Sequence, residues 1–294
     1  MMAVTASQVK ELRERTGLGM MECKRALEAS SGDMELAIDE LRKSGKAKAS
    51  KKASRVASEG VVMIRTNTAG DRAVMIEINS ETDFVARDEN FMKFANQVID
   101  AALQADVNDI ESLNTLTLAD GASVDEARLS LIAKIGENIN LRRIASVASK
   151  PENIGTYTHG SRIGVLVLLE GENKDLAKDI AMHIAASKPL VVSPSDVPAE
   201  LVAKEKEIYM AQAAGSGKPQ EIIEKMVSGK LKKFLDEVSL HGQPFVKDPE
   251  VMVANLLGKN RAKVVSFTRF EVGEGIEKES ENFVEAVMAQ VHGN

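Results

Sequence analysis

The chain predicts an α+β protein with helical ends and two small sheet-bearing parts between them. Three observations carry that expectation. Stretches rich in Ala, Leu, Glu and Lys place apolar residues every three or four positions, the spacing of a helix with one buried face. Two stretches, near 60–103 and 154–187, each read as two β-rich runs around a turn followed by a helix, an internal repeat of the same plan. The longest apolar run, 163–169, has the length of a buried strand and falls far short of a membrane span.

Element by element, Thr5 or Ser7 caps a first helix carrying Val9 and Leu12, and Thr16-Gly17-Leu18-Gly19 breaks it. A second helix spans Met20–Ala29, with Met20, Cys23 or Lys24, and Leu27 at helical spacing, and Ser31-Gly32 ends it. Asp33 caps a third, whose apolar face is Leu36, Ala37, Ile38 and Leu41, up to Gly45. Segment 42–55 then holds seven basic residues, no acidic one, and no Leu, Ile or Phe. It cannot build a core, so it is expected to be a linker or a solvated helix, with a domain boundary there.

The period then changes from helix to strand. Runs 61–65 and 73–78 flank the polar Asn67-Thr68-Ala69-Gly70-Asp71 and predict a hairpin. Phe91, Phe94, Ala95, Val98, Ile99 and Ala102 line a helix, and a polar stretch leads to another over Val124–Ile135 with Leu129, Ile132 and Ile135 apolar. Segment 141–148 reads as a strand, 155–160 with 163–169 as a strand pair, and 175–186 as a helix bearing Leu176, Ile180, His183 and Ile184. Segment 194–236 reads as two helices in an antiparallel hairpin, Leu201, Lys204, Glu205, Ile208 and Gln212 along one and Ile222 to Phe234 along the other. A helix near 249–257, a strand over 263–272 and an amphipathic helix over 280–291 complete the chain. The expected domains are 1–55, 56–140, 141–279 with the hairpin inserted at about 195–237, and 280–294.

Composition narrows the function. At 294 residues the chain is long enough for two or three cores, and 44% hydrophobic content argues against wholesale disorder. Aromatics are 3% and there are 13 Met, so the cores are mainly aliphatic with Met as filler. A net charge of −6 is a poor field for non-specific nucleic-acid binding. The basic segment lacks the interleaved aromatics that stack on bases, so direct RNA contact is not expected. One cysteine, Cys23, excludes an internal disulfide and suits a reducing cytoplasm. The first residues show neither a basic nor an apolar signal region, so no secretory signal and no membrane association are expected.

Catalytic constellations are missing from the sequence. The four histidines, at 159, 183, 241 and 292, lie far apart and show no metal-ligand spacing. There is no phosphate-binding Gly-x-x-x-x-Gly-Lys-Ser/Thr loop and no Gly-x-Ser-x-Gly elbow. No enzyme activity, cofactor or metal is expected. Segment 80–88, Ser-Glu-Thr-Asp-Phe-Val-Ala-Arg-Asp, stands apart, because Phe84 falls among polar residues where a turn should form. It either staples the following helix start, with Asp83 or Asp88 as cap, or it presents a wedge to a partner.

Several motifs place this chain close to a known family. Val9-Lys10-Glu11-Leu12-Arg13-Glu14-Arg15-Thr16-Gly17, Met20-Met21-Glu22-Cys23-Lys24-Arg25-Ala26-Leu27, Thr82-Asp83-Phe84-Val85-Ala86 and Ile135-Gly136-Glu137-Asn138-Ile139 resemble the elongation factor Ts family. So do His159-Gly160 before Arg162-Ile163-Gly164-Val165, His183-Ile184-Ala185-Ala186-Ser187-Lys188-Pro189, Gly242-Gln243-Pro244-Phe245 and Arg269-Phe270-Glu271-Val272-Gly273-Glu274-Gly275. The matches run in order over nearly the whole chain; segment 104–123 carries none. The resemblance implies an N-terminal domain like ubiquitin-associated domains, a two-part core, a helical-hairpin arm and a C-terminal helix. It implies a guanine-nucleotide exchange factor for the GTPase elongation factor Tu. Thr82, Asp83, Phe84 and Val85 would disturb the partner's magnesium site. Met20, Met21 and Lys24 would form an N-terminal contact surface, and His159 would approach the partner near its phosphates. Self-association through the arm also occurs in the family. The competing classes are a helix-binding scaffold that leaves nucleotide release unchanged, and an RNA-associated adaptor using the basic segment.

Overall fold

The computed structural model describes residues 4–215 and 219–277, so the helix expected over 280–291 lies outside the described residues. The chain is mixed helix and sheet, as its periodicities predict. The described residues divide into two compact units, one within 4–62, 76–144 and 271–277, the other within 63–75 and 145–270.

Three helices open the chain. In α1 (Ala6–Thr16) the cap is Thr5, whose hydroxyl and Gln8 form a reciprocal capping box. Helix α2 (Met20–Ala29) and α3 (Met34–Lys52, capped by Asp33) bury Val9, Leu12, Cys23, Leu27, Ala37 and Leu41 together. Leu36, expected on that face, is instead exposed; Ala37 and Leu41, four apart, take the inward stripe. Helix α3 also continues past Gly45 to Lys52, through much of the basic segment. Gly45 is not a stop but a point of close approach: a Cβ there would lie 3.4 Å from that of Ala133. Ala49 is buried one turn later. Several of the basic side chains have partners, Lys48 with Glu22, Lys43 with Glu40 and Arg55 with Glu81.

The predicted hairpin is β1 (Glu59–Thr66) and β2 (Arg72–Ser80), which with β3 (Ile139–Ala148) form a sheet in the order β1-β2-β3. Between β2 and β3 come α4 (Asp83–Ala86), α5 (Glu89–Ala105), α6 (Ile110–Thr115) and α7 (Val124–Ile135). The apolar stripe of α5 is buried as its spacing predicts. Helix α7 buries Val124, Leu131 and Ile132, while Leu129 and Ile135 are only half-buried. The short α6, capped by Asp109 and anchored by buried Leu113, was not foreseen in the polar stretch.

The second unit repeats the plan. Strands β4 (Ile154–His159) and β5 (Ile163–Glu170) pair antiparallel, and α8 (Lys174–Ser187) packs on both. Helices α9 (Ala199–Ala214) and α10 (Gln220–Val238) form the predicted hairpin. Tyr209, Met210 and Ala213 pack against Ile223 and Val227, and Ile208 on the same helix is exposed. Strands β6 (Pro244–Phe245) and β7 (Asp248–Met252) pair before α11 (Val253–Lys259), so the helix expected from residue 249 starts four residues later. Residues 249–252 belong to β7, whose ends Asp248 and Met252 pair with Phe245 and Pro244, and the Val253 N–H donates to the Gln243 carbonyl at the strand-to-helix junction. Strand β8 (Lys263–Glu271) completes the sheet β4-β5-β8.

Each unit holds one buried polar hub. In the first, Glu77 on β2 is fully buried, and its carboxylate accepts from Arg142 Nη1 at 3.0 Å, Arg143 Nε at 2.6 Å, Asn79 Nδ2 at 3.0 Å and the Gly273 N–H at 2.8 Å. Burial pushes its pKa upward, but the Gly273 amide, Asn79, Arg142 and Arg143 together hold it below the usual glutamate range. In the second, buried His183 contacts Gln243 Oε1 through Nε2 at 2.9 Å, and its Nδ1 accepts from the Val246 N–H at 3.2 Å. Nδ1 must therefore be bare, so Nε2 carries the proton and the ring is neutral. Burial lowers its pKa, against a smaller upward pull from Gln243.

Two predictions follow from these hubs. Glu77 is ionised more readily in the fold than in the unfolded chain, so its stabilisation is present above the ordinary glutamate pKa of about 4.3 and is lost as pH falls through its lower folded value. Glu77→Gln should cost about 2–3 kcal/mol in urea unfolding at pH 7, with a smaller loss at pH 3. His183 prefers neutrality in the fold, so its contribution is complete above about pH 6.5 and declines below it. His183→Gln should flatten the fall in melting temperature between pH 7 and 5, leaving the part due to His241, which burial also lowers.

Candidate partner-binding site

Segment 80–88 leaves the end of β2 and enters α5, and its geometry decides between staple and wedge. Thr82 is extended (φ −122°, ψ 157°) and caps α4, its hydroxyl accepting from the Val85 N–H at 3.4 Å. Ser80 Oγ donates to the Thr82 carbonyl at 2.9 Å. Asp88 caps α5, accepting from the Asn90 and Phe91 N–H groups at 2.8 and 3.3 Å. Burial alone would raise its pKa; Asn90, the two amides and Lys134 outweigh that and lower it.

Val85 and Ala86 turn inward and are buried, while Phe84 faces solvent with 82% of its surface exposed, the highest value among the large apolar side chains of the described residues. The stapling alternative therefore fails for Phe84, and only its capping half survives, in Asp88. Full burial of such a ring is worth about 1.5–3 kcal/mol, which the isolated chain forgoes. Asp83 beside it pairs with Arg87 at 2.9 Å. Both groups are largely solvated, so the pair contributes about 0–1 kcal/mol and is readily exchanged for another partner.

The turn is held from outside its own sequence. Gly136 ends α7 in the left-handed region (φ 93°), where a Cβ would cost about 1–2 kcal/mol. The chain reverses there and brings Glu137 to Thr82. One carboxylate oxygen accepts from the Thr82 N–H at 3.0 Å, the other from its hydroxyl at 2.8 Å. Asn138 follows: its N–H donates to Glu81 at 2.6 Å, and its side-chain amide donates to the carbonyls of Ala53 and Arg55 at 3.4 and 2.8 Å. Lys52 donates to the Gly136 carbonyl.

The other predicted residues fall in two places. Met20, Met21 and Lys24 lie on α2, both methionines exposed at 51% and 64%, with Lys24 half-exposed and 3.7 Å from Glu28. His159 is exposed at the end of β4 in the second unit, its Nδ1 3.4 Å from the Tyr157 hydroxyl. Thus Thr82, Asp83, Phe84 and Val85 form one feature, the α2 residues another, and His159 a third. Glu81, Glu137 and Asn138 were missed as holders of the turn. The available signal was Gly136-Glu137-Asn138 between a helix and a strand, a reversal followed by two side chains that seek backbone partners.

Among the described residues no group of three or more His, Cys, Asp or Glu is arranged to hold a metal ion, and no helix is long and apolar enough to cross a membrane.

Comparison with known proteins then agrees over almost the whole length. A family model for Elongation factor TS matches residues 81–274. The chain is 59% identical over 291 residues to the Elongation factor Ts of Legionella pneumophila strain Philadelphia 1, covering 99% of each chain. It is 58% identical over 293 residues to that of Thioalkalivibrio sulfidiphilus, covering 99% of this chain and all of the relative, and 58% over 290 residues to that of Francisella tularensis subsp. novicida, covering 99% of each.

Proposed function

The chain belongs to the elongation factor Ts family, and on that premise we propose that it acts in translation elongation by releasing GDP from a GTPase partner, elongation factor Tu. It works without making or breaking a covalent bond. The observation that carries this reading is the outward Phe84 on a turn whose two buried neighbours and cap hold it in place.

A nucleotide in a phosphate-binding loop is held by backbone amides and a magnesium ion around its phosphates. Phe84 enters between helices of the GTPase domain and displaces one of them. Asp83 leaves Arg87 and accepts hydrogen bonds from the displaced backbone. Val85 and Thr82 fix the angle of entry. The moved helix no longer keeps the metal and its waters, and GDP leaves. The exposed Met20 and Met21, with Lys24, supply binding energy at a second surface, and His159 a third contact near the phosphate side. Linkage makes the effect reciprocal: the factor weakens GDP as much as GDP weakens the factor. A coupling of about 3–5 kcal/mol corresponds to two to four decades in affinity.

The test is the rate at which fluorescent GDP leaves elongation factor Tu as a function of the concentration of this protein. Phe84→Ala should remove about 2–3 kcal/mol of this effect, a slowing of roughly 30- to 150-fold, with unchanged melting temperature. Unchanged release with Phe84→Ala and with Asp83→Ala overturns the reading.

A further inference from the structure

We infer that Glu137 is a positioning residue for nucleotide release: its carboxylate aims Phe84 by holding Thr82. This rests on the reading of Phe84 given above.

The argument starts from the two donors of one residue. Thr82 offers an N–H and an O–H, and Glu137 offers one oxygen to each, at 3.0 and 2.8 Å. A carboxylate is the side-chain group that accepts on both arms, and bonds to an ionised acceptor are the stronger kind. Donation of the hydroxyl proton to Glu137 leaves the Thr82 oxygen lone pairs for the Val85 N–H. The three groups therefore form a chain, carboxylate to hydroxyl to amide, that ends at the first turn of α4. Four residues cannot sustain a helix alone, since nucleation fixes several dihedrals for the first bond. Two further side-chain ties lie within the turn: Ser80 Oγ holds the Thr82 carbonyl, on the strand side of α4, and the solvated Asp83–Arg87 pair is one that the release mechanism itself requires to open.

Glu137 can act as a fixed point because both its neighbours are tied down. Lys52 holds the Gly136 carbonyl, and Asn138 bonds to Glu81, Ala53 and Arg55. A ring presented on an ordered turn binds without the ordering cost that a loose one incurs. Misplacement of a reacting or wedging group by about 1 Å can cost up to a hundredfold in rate.

The experiment uses the full chain and five substitutions: Glu137→Ala, Glu137→Gln, Thr82→Val, the Glu137→Ala/Thr82→Val pair, and Phe84→Ala. Release of fluorescent GDP from elongation factor Tu is measured to saturation, giving a maximal rate and a half-saturating concentration. Amide hydrogen exchange is followed on the free protein. Glu137→Ala should lower the maximal rate about tenfold and move the half-saturating concentration by less than about threefold. It should speed exchange of the Val85 amide and leave the interior of α5 protected. Glu137→Gln, close in shape, keeps one acceptor and turns an NH2 towards a donor, so it should fall between wild type and Glu137→Ala. Thr82→Val should resemble Glu137→Ala, and the pair should be no slower than the worse single variant, because both break one chain of bonds.

Unchanged maximal rates in both Glu137 variants, with Phe84→Ala slow, overturn the positioning role and leave the proposed function standing. Losses that multiply in the pair, or faster exchange throughout α5, overturn it as well, since the defect is then general. Normal release with Phe84→Ala overturns the premise and this inference together.

Discussion

The carboxylate of Glu77 has no solvent contact, and an unpaired charge in that position would be strongly destabilising. Four donors from three distant parts of the chain meet it: Asn79 beside it, Arg142 and Arg143 on β3, and the Gly273 amide. Arg142 also donates to the Glu274 carbonyl and Arg143 to the Glu271 carbonyl. One buried anion thus sets the register of β2 against β3 and secures the segment after β8. The turn at 80–88 is placed by those two strands. Ser80 is the last residue of β2, and Glu137 lies two residues before β3. A slip at Glu77 would separate Thr82 from its carboxylate.

The turn itself shows how an apolar side chain is kept in water. Its cost is spread over neighbours that are buried or bonded: Val85 and Ala86 inside, Thr82 at the cap, Asp88 at the start of α5. None of these needs Phe84. The outward ring is thus held by the burial and hydrogen bonds of its neighbours, with the solvated Asp83–Arg87 pair beside it.

Much of this was legible in the sequence, for reasons that differ by element. The hairpin followed from two β-rich runs around a polar turn, and α5 from a clean 3.6 period that depends on burial of one face and little else. The cap at Asp33 followed from local backbone chemistry. Local signals misled where a tertiary contact overruled them. Gly45 has the composition of a helix stop, yet α3 runs on through it, with Gly45 buried where α3 packs on α7 beside Ala133. Residues 249–252 scan as helix until β6 supplies an edge to pair with. Phe84 was open to two readings because exposure depends on what the fold places above a turn, which no short window encodes. Glu137 was invisible for the same reason: its partner lies 55 residues earlier.

The unbroken course of α3 has a consequence for the proposed reading, in which two surfaces would address one target. Nineteen residues at 1.5 Å each make a rod of about 28 Å. Its first half packs with α1 and α2; its last residue, Lys52, grips the loop that carries Glu137. Had segment 42–55 been a floppy tether, the second surface would search a volume after the first had landed, at an effective concentration set by chain statistics. A stiff strut replaces that search with a preset gauge. A target whose two grooves match the gauge gains avidity at once, and one whose grooves are spaced otherwise gains none.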